Sequence, residues 1–276
     1  MKEIYQKLGV EVYINQPFRR YDAVIYFRGM QNRDYLNIRL LRLICRKIYW
    51  DTVVDYFDVH EACDEKQVKS SRRIARFVDG VICSTSIIAE SARTYNSNVI
   101  VMNDPIDVGH FSIFKKSINW KQPTFIWSGV AHKSEYLDCF ADLLSEKTTL
   151  IMEKELPRKF KYRFLKWTYE KFPNDVVKGD IAFLPRLVNT PYNKGHSCFK
   201  ALPFAVAGIP ILANRLPSYV EMSKHYDAIC FLEDYTDVSQ ALLELEKRSR
   251  DTQKVRDIYS CETIGRKFID QLYRQS

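Results

Sequence analysis

The sequence predicts an α/β protein made of two Rossmann-like domains, each with a parallel sheet. Its 276 residues are enough for two domains of modest size. Short apolar runs typical of buried strands alternate with longer helical patterns, as in parallel βαβ units. Between residues 103 and 123 the sequence shows neither the strand nor the helix periodicity, and we interpret this stretch as a hinge. The alternative is one continuous sheet with a long loop.

The hinge divides the chain into a short N-terminal domain, 1–110, and a C-terminal domain, 111–276. The predicted strands are 23–27, 53–54, 80–83, 98–102, 124–127, 149–152, 181–184, 209–213 and 228–232. The predicted helices are 32–48, 64–77, 87–95, 134–144, 158–169, 197–207, 235–250 and 261–273. Ligands of such sheets bind at the carboxyl ends of the strands, so we expect the two sheets to face a cleft there.

Composition narrows the classes of function. Hydrophobic residues make up 46% of the chain and charged residues 28%, which is typical of a globular protein and excludes a disordered or fibrous one. The seven cysteines occur singly and without a CxxC pair, so neither a disulfide framework nor a zinc site is expected. No apolar run reaches the ~18 residues of a membrane span, and the sequence starts without a secretory signal. These features favour a cytoplasmic protein.

The net charge of +8 is unevenly distributed. Residues 1–50 carry 10 basic and 4 acidic side chains, whereas residues 51–110 carry 6 and 10. A basic first segment suits an anionic surface or acceptor, and a solvated helix face explains it as well. Because no RRM or KH motif is present, we do not expect nucleic acid as a partner.

The most informative stretch reads as strand, polar loop, helix, turn and strand. Its parts are 180–186 (DIAFLPR), 190–200 (TPYNKGHSCFK) and 207–213 (AGIPILA). Gly195 allows a tight turn, and Ser197 stands where an N-cap would bind the first amide groups of the following helix. A helix start beside cations binds anions, and Arg186, Lys194 and Lys200 supply the charge.

This order of motifs resembles the donor-binding half of GT-B glycosyltransferases, in particular the family 4 type found in polysaccharide and lipopolysaccharide assembly. The resemblance covers roughly residues 20–275 and is most specific between 180 and 221. It implies that Ser197 and Lys200 face the phosphates of a nucleotide-sugar donor. Arg186, Lys194, Gly195 and His196 would lie beside them.

The sequence departs from the family at the donor ribose. Family 4 proteins place two glutamates eight residues apart, and here those positions hold Gly195 and Pro203. Ribose recognition must therefore differ. A CMP-activated acidic sugar stays open as the donor, alongside UDP-, GDP- and dTDP-sugars.

Two further segments of the C-terminal half would line the donor site on this resemblance. Strand 124–127 is followed by Ser128 and Gly129, whose small size lets a ligand approach the backbone, and then by His132 and Lys133. Tyr219 would stack on a base or sugar. The alternatives are an ordinary turn at the first segment and surface packing at the second.

The densest group of ionisable side chains lies between residues 51 and 65. Inverting transfer needs a group that accepts the proton of the acceptor hydroxyl, so Asp58, His60 and Glu61 are the candidate catalytic residues. The alternative is that these acidic residues stabilise the start of the next helix. No third ligand accompanies Asp58 and His60, so we expect no metal site and no cofactor.

The turn after the first strand offers an acceptor site. Arg28 follows that strand, and Asn32 and Arg33 stand near the start of the next helix, where they would orient an anionic acceptor. Thr85 and Ser86 follow strand 80–83 in the same way. A role in capping helices explains each of these residues equally well.

Residues 158–171 carry six basic residues and five aromatic ones. On a helix, Phe160, Phe164 and Trp167 would share one face, and such a helix would bind anionic lipid headgroups beside a lipid-linked acceptor. The alternative is a crossover helix with its apolar face on the sheet.

These observations predict a glycosyltransferase that moves a sugar from a nucleotide-sugar to a glycan or lipid-linked acceptor in surface polysaccharide or lipopolysaccharide assembly. It would work in the cytoplasm or on the inner face of the membrane. The alternative from another class is a non-catalytic GT-B-like subunit that binds a nucleotide or glycan within an assembly complex. The short first half and the missing glutamates favour that alternative.

Overall fold

The computed structural model describes residues 6, 9–14, 16, 19–60, 63–144, 146–186 and 190–274. These residues form two compact units, each built on its own parallel sheet. The first unit takes the described residues of Met1–Asp104, Asn189–Ser197 and Cys261–Ser276. The second takes those of Pro105–Val188 and Cys198–Ser260. The predicted α/β architecture with two parallel sheets is therefore confirmed.

The strands of the described residues are β1 Tyr21–Phe27, β2 Cys45–Thr52, β3 Gly80–Cys83, β4 Val99–Val101, β5 Phe125–Ser128, β6 Thr149–Met152, β7 Arg163–Lys166, β8 Ile181–Leu184, β9 Ile211–Ala213 and β10 Ile229–Phe231. The α-helices are α1 Asn32–Leu41, α2 Glu65–Phe77, α3 Ser86–Arg93, α4 Phe172–Val176, α5 Pro191–Lys194, α6 Leu202–Val206, α7 Pro217–Ser223, α8 Val238–Lys247, α9 Gln253–Tyr259 and α10 Cys261–Arg274. Segments Ala131–Phe140, Cys198–Lys200 and Leu232–Asp234 are 3₁₀ helices.

The sheet of the first unit has the order β1-β2-β3-β4, so each strand lies beside the next one in sequence. Right-handed crossovers in one direction place α1, α2 and α3 on the same face. There Ile38, Ile74 and Ile88 pack on Ile48 and Trp50 of β2. On the opposite face Phe268 of α10 covers one side chain each from β2, β3 and β4, namely Tyr49, Ile82 and Ile100.

The local sequence explains where α2 begins. The Asp64 side chain accepts a hydrogen bond from the Gln67 backbone at 2.8 Å, and the Gln67 side chain accepts one from the Asp64 backbone at 2.9 Å. This reciprocal pair satisfies two amide groups that the helix start would leave without partners. An acidic residue at this point is also stabilised by the helix dipole.

The sheet of the second unit has the order β10-β9-β8-β5-β6-β7. Its central strands are buried on both faces, as their continuous apolar sequences require in a parallel sheet. The predicted strands 149–152 and 181–184 have the same bounds in the structure, as does 80–83 of the first unit. Continuous apolar runs in the sequence, without alternation of apolar and polar residues, therefore identified buried strands of each sheet.

One predicted helix is wrong in its second half and another is wrong throughout, because strands form at those residues. The helix predicted over 32–48 ends at Leu41, and β2 begins at Cys45. Ile48 and Trp50 must be buried between β1 and β3, and tertiary packing outweighs the helical pattern there. The helix predicted over 158–169 is also wrong, because Arg163–Lys166 pair with β6 as the edge strand β7. The proposed lipid-binding helix is therefore not formed.

The helix predicted over 197–207 is broken. A 3₁₀ turn covers Cys198–Lys200, and α6 starts at Leu202 with Pro203 in its first turn, where the missing amide hydrogen costs nothing. Ser197 is consequently not the N-cap of a long helix. Its hydroxyl donates instead to Asp104. The helix predicted over 134–144 is the 3₁₀ segment 131–140.

The two units do not follow the residue ranges 1–110 and 111–276. Segment 190–197 folds with the first unit, where the Thr85 hydroxyl donates to the Gly195 carbonyl at 3.1 Å. Helix α10 also belongs to this unit through Phe268. Contacts between residues far apart in sequence therefore decide the division of the chain.

In the second unit Asp180 ties the segment before β5 to the start of β8. Its carboxylate accepts hydrogen bonds from the Thr124 hydroxyl at 2.8 Å and the Thr124 backbone at 3.1 Å. The Lys115 ammonium lies 3.2 Å from the same carboxylate. Burial opposes the charge, but these hydrogen bonds and the Lys115 charge lower the pKa of Asp180 below its ordinary value.

We expect Asp180→Ala to lower the free energy of unfolding by about 3 kcal/mol, because it leaves buried donors and the Lys115 charge unpaired. Because the folded-state pKa is depressed, the wild-type advantage is present above the unfolded pKa of about 4 and is lost as the pH falls through the folded value. Urea unfolding from neutral to acidic pH measures both effects. Asp142→Asn, at an exposed position of the same unit, is the control, and equal losses in the two variants would contradict this account.

Candidate functional site

In the second unit a cationic cluster forms at the carboxyl ends of the strands. The Lys200 ammonium lies over the Trp127 ring, 4.1 Å from its centroid. Gly129 follows β5, and a Cβ atom at this position would come within 2.7 Å of the Lys200 Nζ. The same Cβ atom would come within 2.6 Å of the Trp127 ring, so a larger residue would displace the ring or the ammonium.

Two more cations act on Lys200. Burial and, to a smaller extent, the positive charges of Arg186 and Lys133 together lower the pKa of Lys200 to about 7. In the part of the chain that the structure describes, Lys200 forms no ion pair with a carboxylate. A group of like charges favours the binding of an anionic ligand. A bound anion would raise the pKa of Lys200, so that Lys200 is protonated. We name Lys133, Arg186 and Lys200 the cation cluster.

Several predicted donor residues lie around the cation cluster. Ser128 is buried at the end of β5, and Tyr219 is buried in α7. Burial raises the pKa of the Tyr219 hydroxyl, and the Arg186 charge partly offsets the effect, so Arg186 acts on both Tyr219 and Lys200. His132 is exposed on the 3₁₀ segment that follows. That segment starts at Ala131, whose amide donates to the Glu153 carboxylate at 2.9 Å.

The remaining predicted donor residues lie in the first unit. Lys194, Gly195, His196 and Ser197 all belong to the segment that folds there. Lys194 is exposed, whereas Gly195 is buried against Ile88 of α3. Nothing in the sequence distinguishes these four residues from Lys200, because the change of unit occurs within one short loop.

An acidic pair marks the strand ends of the first unit. Asp51 lies near the end of β2, and Asp104 follows β4 and accepts the hydrogen bond from Ser197. Burial and the Asp104 charge together raise the pKa of Asp51 to about 7, against the opposing effect of the Arg28 charge. Burial likewise raises the pKa of Asp104, against the effects of Ser197 and Arg28. Asp51 therefore changes its charge near neutral pH.

Arg28 is held in an unusual backbone conformation beside this pair. Its φ of 61° lies in the left-handed region, which side chains other than glycine rarely adopt. The Arg28 amide donates to the Asp51 carbonyl at 2.9 Å, and the Trp50 indole donates to the Arg28 carbonyl. Such strain persists where neighbours enforce it. The Arg28 charge lowers the pKa of both Asp51 and Asp104.

The three predicted catalytic residues have different surroundings. Asp58 is exposed and pairs with Arg72 at 3.1 Å. The His60 Nε2 donates a hydrogen bond to the Asp55 carbonyl, 2.6 Å away, and the His60 ring stacks on Tyr192 with 4.5 Å between the ring centroids. His196 contacts the same tyrosine edge-on at 4.6 Å. Glu61 lies outside the described residues.

The predicted acceptor residues are only partly brought together. Asn32 and Arg33 are exposed in the first turn of α1, and Arg28 alone acts on the acidic pair. Thr85 caps α3 through a hydrogen bond from the Ile88 amide at 3.3 Å, which is the capping role left open by the sequence. Asp51 and Asp104 were not among the predicted site residues, although each stands at or just beyond the end of an apolar strand.

Comparison with known proteins addresses the fold. No family profile matches the sequence, and no curated protein matches it. Two similar solved structures are sucrose-phosphate synthase from Thermosynechococcus elongatus (10% identity, TM-score 0.64, 92% of this chain and 73% of that one) and Anabaena HepE in complex with UDP-glucose (10% identity, TM-score 0.64, 92% and 79%). A third is a UDP-forming α,α-trehalose-phosphate synthase from Burkholderia xenovorans (10% identity, TM-score 0.57, 91% and 73%). The chain therefore has the GT-B fold.

The account of the cation cluster predicts that Lys200 titrates near neutral pH. We expect Arg186→Gln to raise the pKa of Lys200, because a positive charge that opposes its protonation is removed. NMR of reductively ¹³C-methylated protein measures this titration, with Lys200→Arg to assign the signal. Arg163→Gln, an exposed change on β7 of the same unit, should leave the titration unchanged. A Lys200 signal that titrates above pH 10 in the wild type would disprove the cluster.

Proposed function

We propose that this protein is a glycosyltransferase that takes its sugar from a UDP-sugar. The observation that carries the proposal is the cation cluster at the strand ends of the second unit, where GT-B sequences place the donor phosphates. HepE was solved with UDP-glucose, and the trehalose-phosphate synthase is UDP-forming, which supports UDP as the nucleotide. The CMP-sugar that the sequence left open has no such support.

The cluster suits a nucleoside diphosphate in the ground state and in the transition state. Cleavage of the bond between sugar and phosphate leaves additional negative charge on the departing diphosphate. Charges already positioned at that point stabilise the transition state without reorganisation. The Lys200 ammonium would take up a proton as the donor binds and remain charged while the leaving group departs. No metal ion or cofactor is part of this proposal.

The acidic pair of the first unit would activate the acceptor. A general base works best when its pKa lies near the working pH, and burial together with Asp104 brings Asp51 to about 7. Asp51 would accept the proton of the attacking hydroxyl, and Arg28 would hold the carboxylate in its charged form. Asp51 replaces Asp58 as our candidate base, because Asp58 is exposed and paired with Arg72.

The acceptor that we propose is a glycan or lipid-linked glycan of a surface polysaccharide or lipopolysaccharide, made on the cytoplasmic side of the membrane. This part rests on the motif order between 180 and 213. Within the described residues, no helix is both long and apolar enough to span a membrane. A lipid-linked acceptor would bring the protein to the membrane surface.

UDP affinity tests the donor site directly. We expect Lys200→Ala to weaken UDP binding by about tenfold to a hundredfold, because a charge-assisted contact to phosphate is lost. Isothermal titration calorimetry measures the affinity, and Lys121→Ala, at an exposed lysine of the same unit, is the matched control. Binding that is the same in the wild type and Lys200→Ala would place the nucleotide elsewhere.

The same titration has a characteristic pH dependence. Lys200 loses its proton above about pH 7 in the free protein, whereas a bound diphosphate favours the charged form. UDP binding at pH 8 should therefore take up a proton, and the binding enthalpy should vary with the ionisation enthalpy of the buffer. Lys200→Arg keeps its charge and should show no such proton uptake. Equal proton uptake in both proteins would exclude Lys200 as its source.

Sugar transfer tests the acidic pair. With a panel of UDP-sugars and acceptor glycans, we expect Asp51→Asn to lower kcat by about a hundredfold or more while UDP affinity is unchanged. In the wild type, activity should rise with pH around a midpoint near 7, because the carboxylate form is the active base. Asp104→Asn should move this midpoint down, since a negative charge that disfavours ionised Asp51 is removed.

Asp22→Asn, at an exposed position on β1, is the control for the transfer assay. Full transfer by Asp51→Asn would contradict the assignment of the base. A wild type that binds UDP without transferring sugar to any acceptor would favour the alternative, a non-catalytic subunit of an assembly complex.

A further inference from the structure

Helix α1 presents apolar side chains to solvent on the face opposite the core. Its inner face is formed by Ile38, which is fully buried, and by Tyr35, which packs on the same core. On the outer side Leu36, Leu40 and Leu43 are exposed to 57%, 63% and 81%. They follow one another at intervals of four and three residues, so they form one stripe along the helix and the turn that ends it. We name these residues the leucine stripe.

The neighbouring helix α2 shows what an ordinary outer face looks like in this unit. Its exposed positions carry charged side chains, namely Glu65, Lys66, Lys69, Arg73 and Arg76. Isolated exposed leucines are common on protein surfaces, but three in helical register cost solvation free energy unless another surface covers them. The leucine stripe is therefore a contact surface rather than a part of the core.

The charge around the stripe indicates the chemistry of that contact. Residues 32–47 contain five basic residues and one acidic residue, Asp34. The Asp34 carboxylate already accepts hydrogen bonds from the Tyr26 hydroxyl and the Gln31 backbone, both at 2.8 Å. Arg33 and Arg39 lie three residues before and after Leu36, so they flank it on the helix surface, and Arg46 lies at the start of β2. All three arginines are exposed. Apolar side chains between arginines match a lipid surface with anionic headgroups.

We propose that the leucine stripe and Arg33, Arg39 and Arg46 dock this protein on a membrane leaflet that contains anionic phospholipid. The leucines would enter the boundary between headgroups and acyl chains, and the arginines would bind phosphate. A second copy of the chain fits less well, because two-fold pairing of this helix would bring the same arginines against each other. This inference uses α1, the turn after it and the start of β2, and none of these residues belongs to the cation cluster, so vesicle binding and UDP binding can fail independently.

Sedimentation with vesicles tests the proposal on the full-length protein. We expect binding to vesicles of phosphatidylcholine mixed with phosphatidylglycerol, and much weaker binding to phosphatidylcholine alone. The triple change Leu36→Ser, Leu40→Ser and Leu43→Ser should lower the partition coefficient by roughly tenfold or more. Each of Arg33→Gln and Arg39→Gln should lower it about fivefold, and high salt should act in the same direction.

Matched variants separate this surface from others. Leu243→Ser changes a leucine of α8 that is 61% exposed, and it should bind vesicles as the wild type does. The triple change Lys159→Gln, Arg163→Gln and Lys166→Gln removes three positive charges from β7 and the segment before it. It should lower vesicle binding only as far as the smaller net charge of the protein does. Because every changed side chain is exposed, the variants should unfold at the wild-type temperature, which circular dichroism checks.

Three results would overturn the proposal. The first is a wild type that does not bind anionic vesicles. The second is binding that survives the leucine and arginine changes or is lost only with the β7 variant. The third is a dimer, detected by light scattering, that dissociates when the leucines are replaced while vesicle binding is absent. That last result would assign the stripe to contact between copies of this chain.

Discussion

The second unit keeps the positive charges of Lys133, Arg186 and Lys200 close enough to suppress protonation of one of them. This arrangement is unfavourable by itself, and the fold maintains it with rigid parts. Trp127 lies at the end of a buried strand and supports the Lys200 ammonium, and Gly129 leaves the space that the ammonium occupies. An anion would relieve the repulsion, and the diphosphate of the proposed donor is such an anion.

In the first unit, acidic side chains lie at the carboxyl ends of the parallel strands, where the second unit has cations. There burial raises the pKa of both Asp51 and Asp104, the Asp104 charge adds to the rise at Asp51, and Arg28 opposes both shifts from a strained backbone position. Both features follow from one property of parallel sheets. Their strands all end at one edge, and side chains from distant parts of the sequence meet there.

The sequence predicted the parts of the fold that depend on local patterns and missed those that depend on distant contacts. Strands such as 149–152 were evident because both faces are buried and the run is continuously apolar. The change from α1 to β2 was missed, because the helical pattern continues past Leu41 and only pairing with β1 and β3 makes Cys45–Thr52 a strand. Helix 158–169 failed for the same reason at β7.

The same distinction between local patterns and distant contacts applies to the candidate site. Lys133, Arg186 and Lys200 were found because each follows a strand or belongs to a recognisable motif. Asp51 and Asp104 were not singled out, since the significance of either carboxylate depends on the other and on Arg28. The assignment of Ser197 to donor phosphates could not anticipate its hydrogen bond to Asp104, which joins residues 93 positions apart.

A crystal structure with UDP tests the central claim most directly. The account predicts the diphosphate within hydrogen-bonding distance of the Lys200 ammonium and the Arg186 guanidinium, with Lys133 beside them and the Lys200 ammonium still near Trp127. A diphosphate bound away from these three side chains would contradict the account, as would protein that takes up no UDP at saturating concentration.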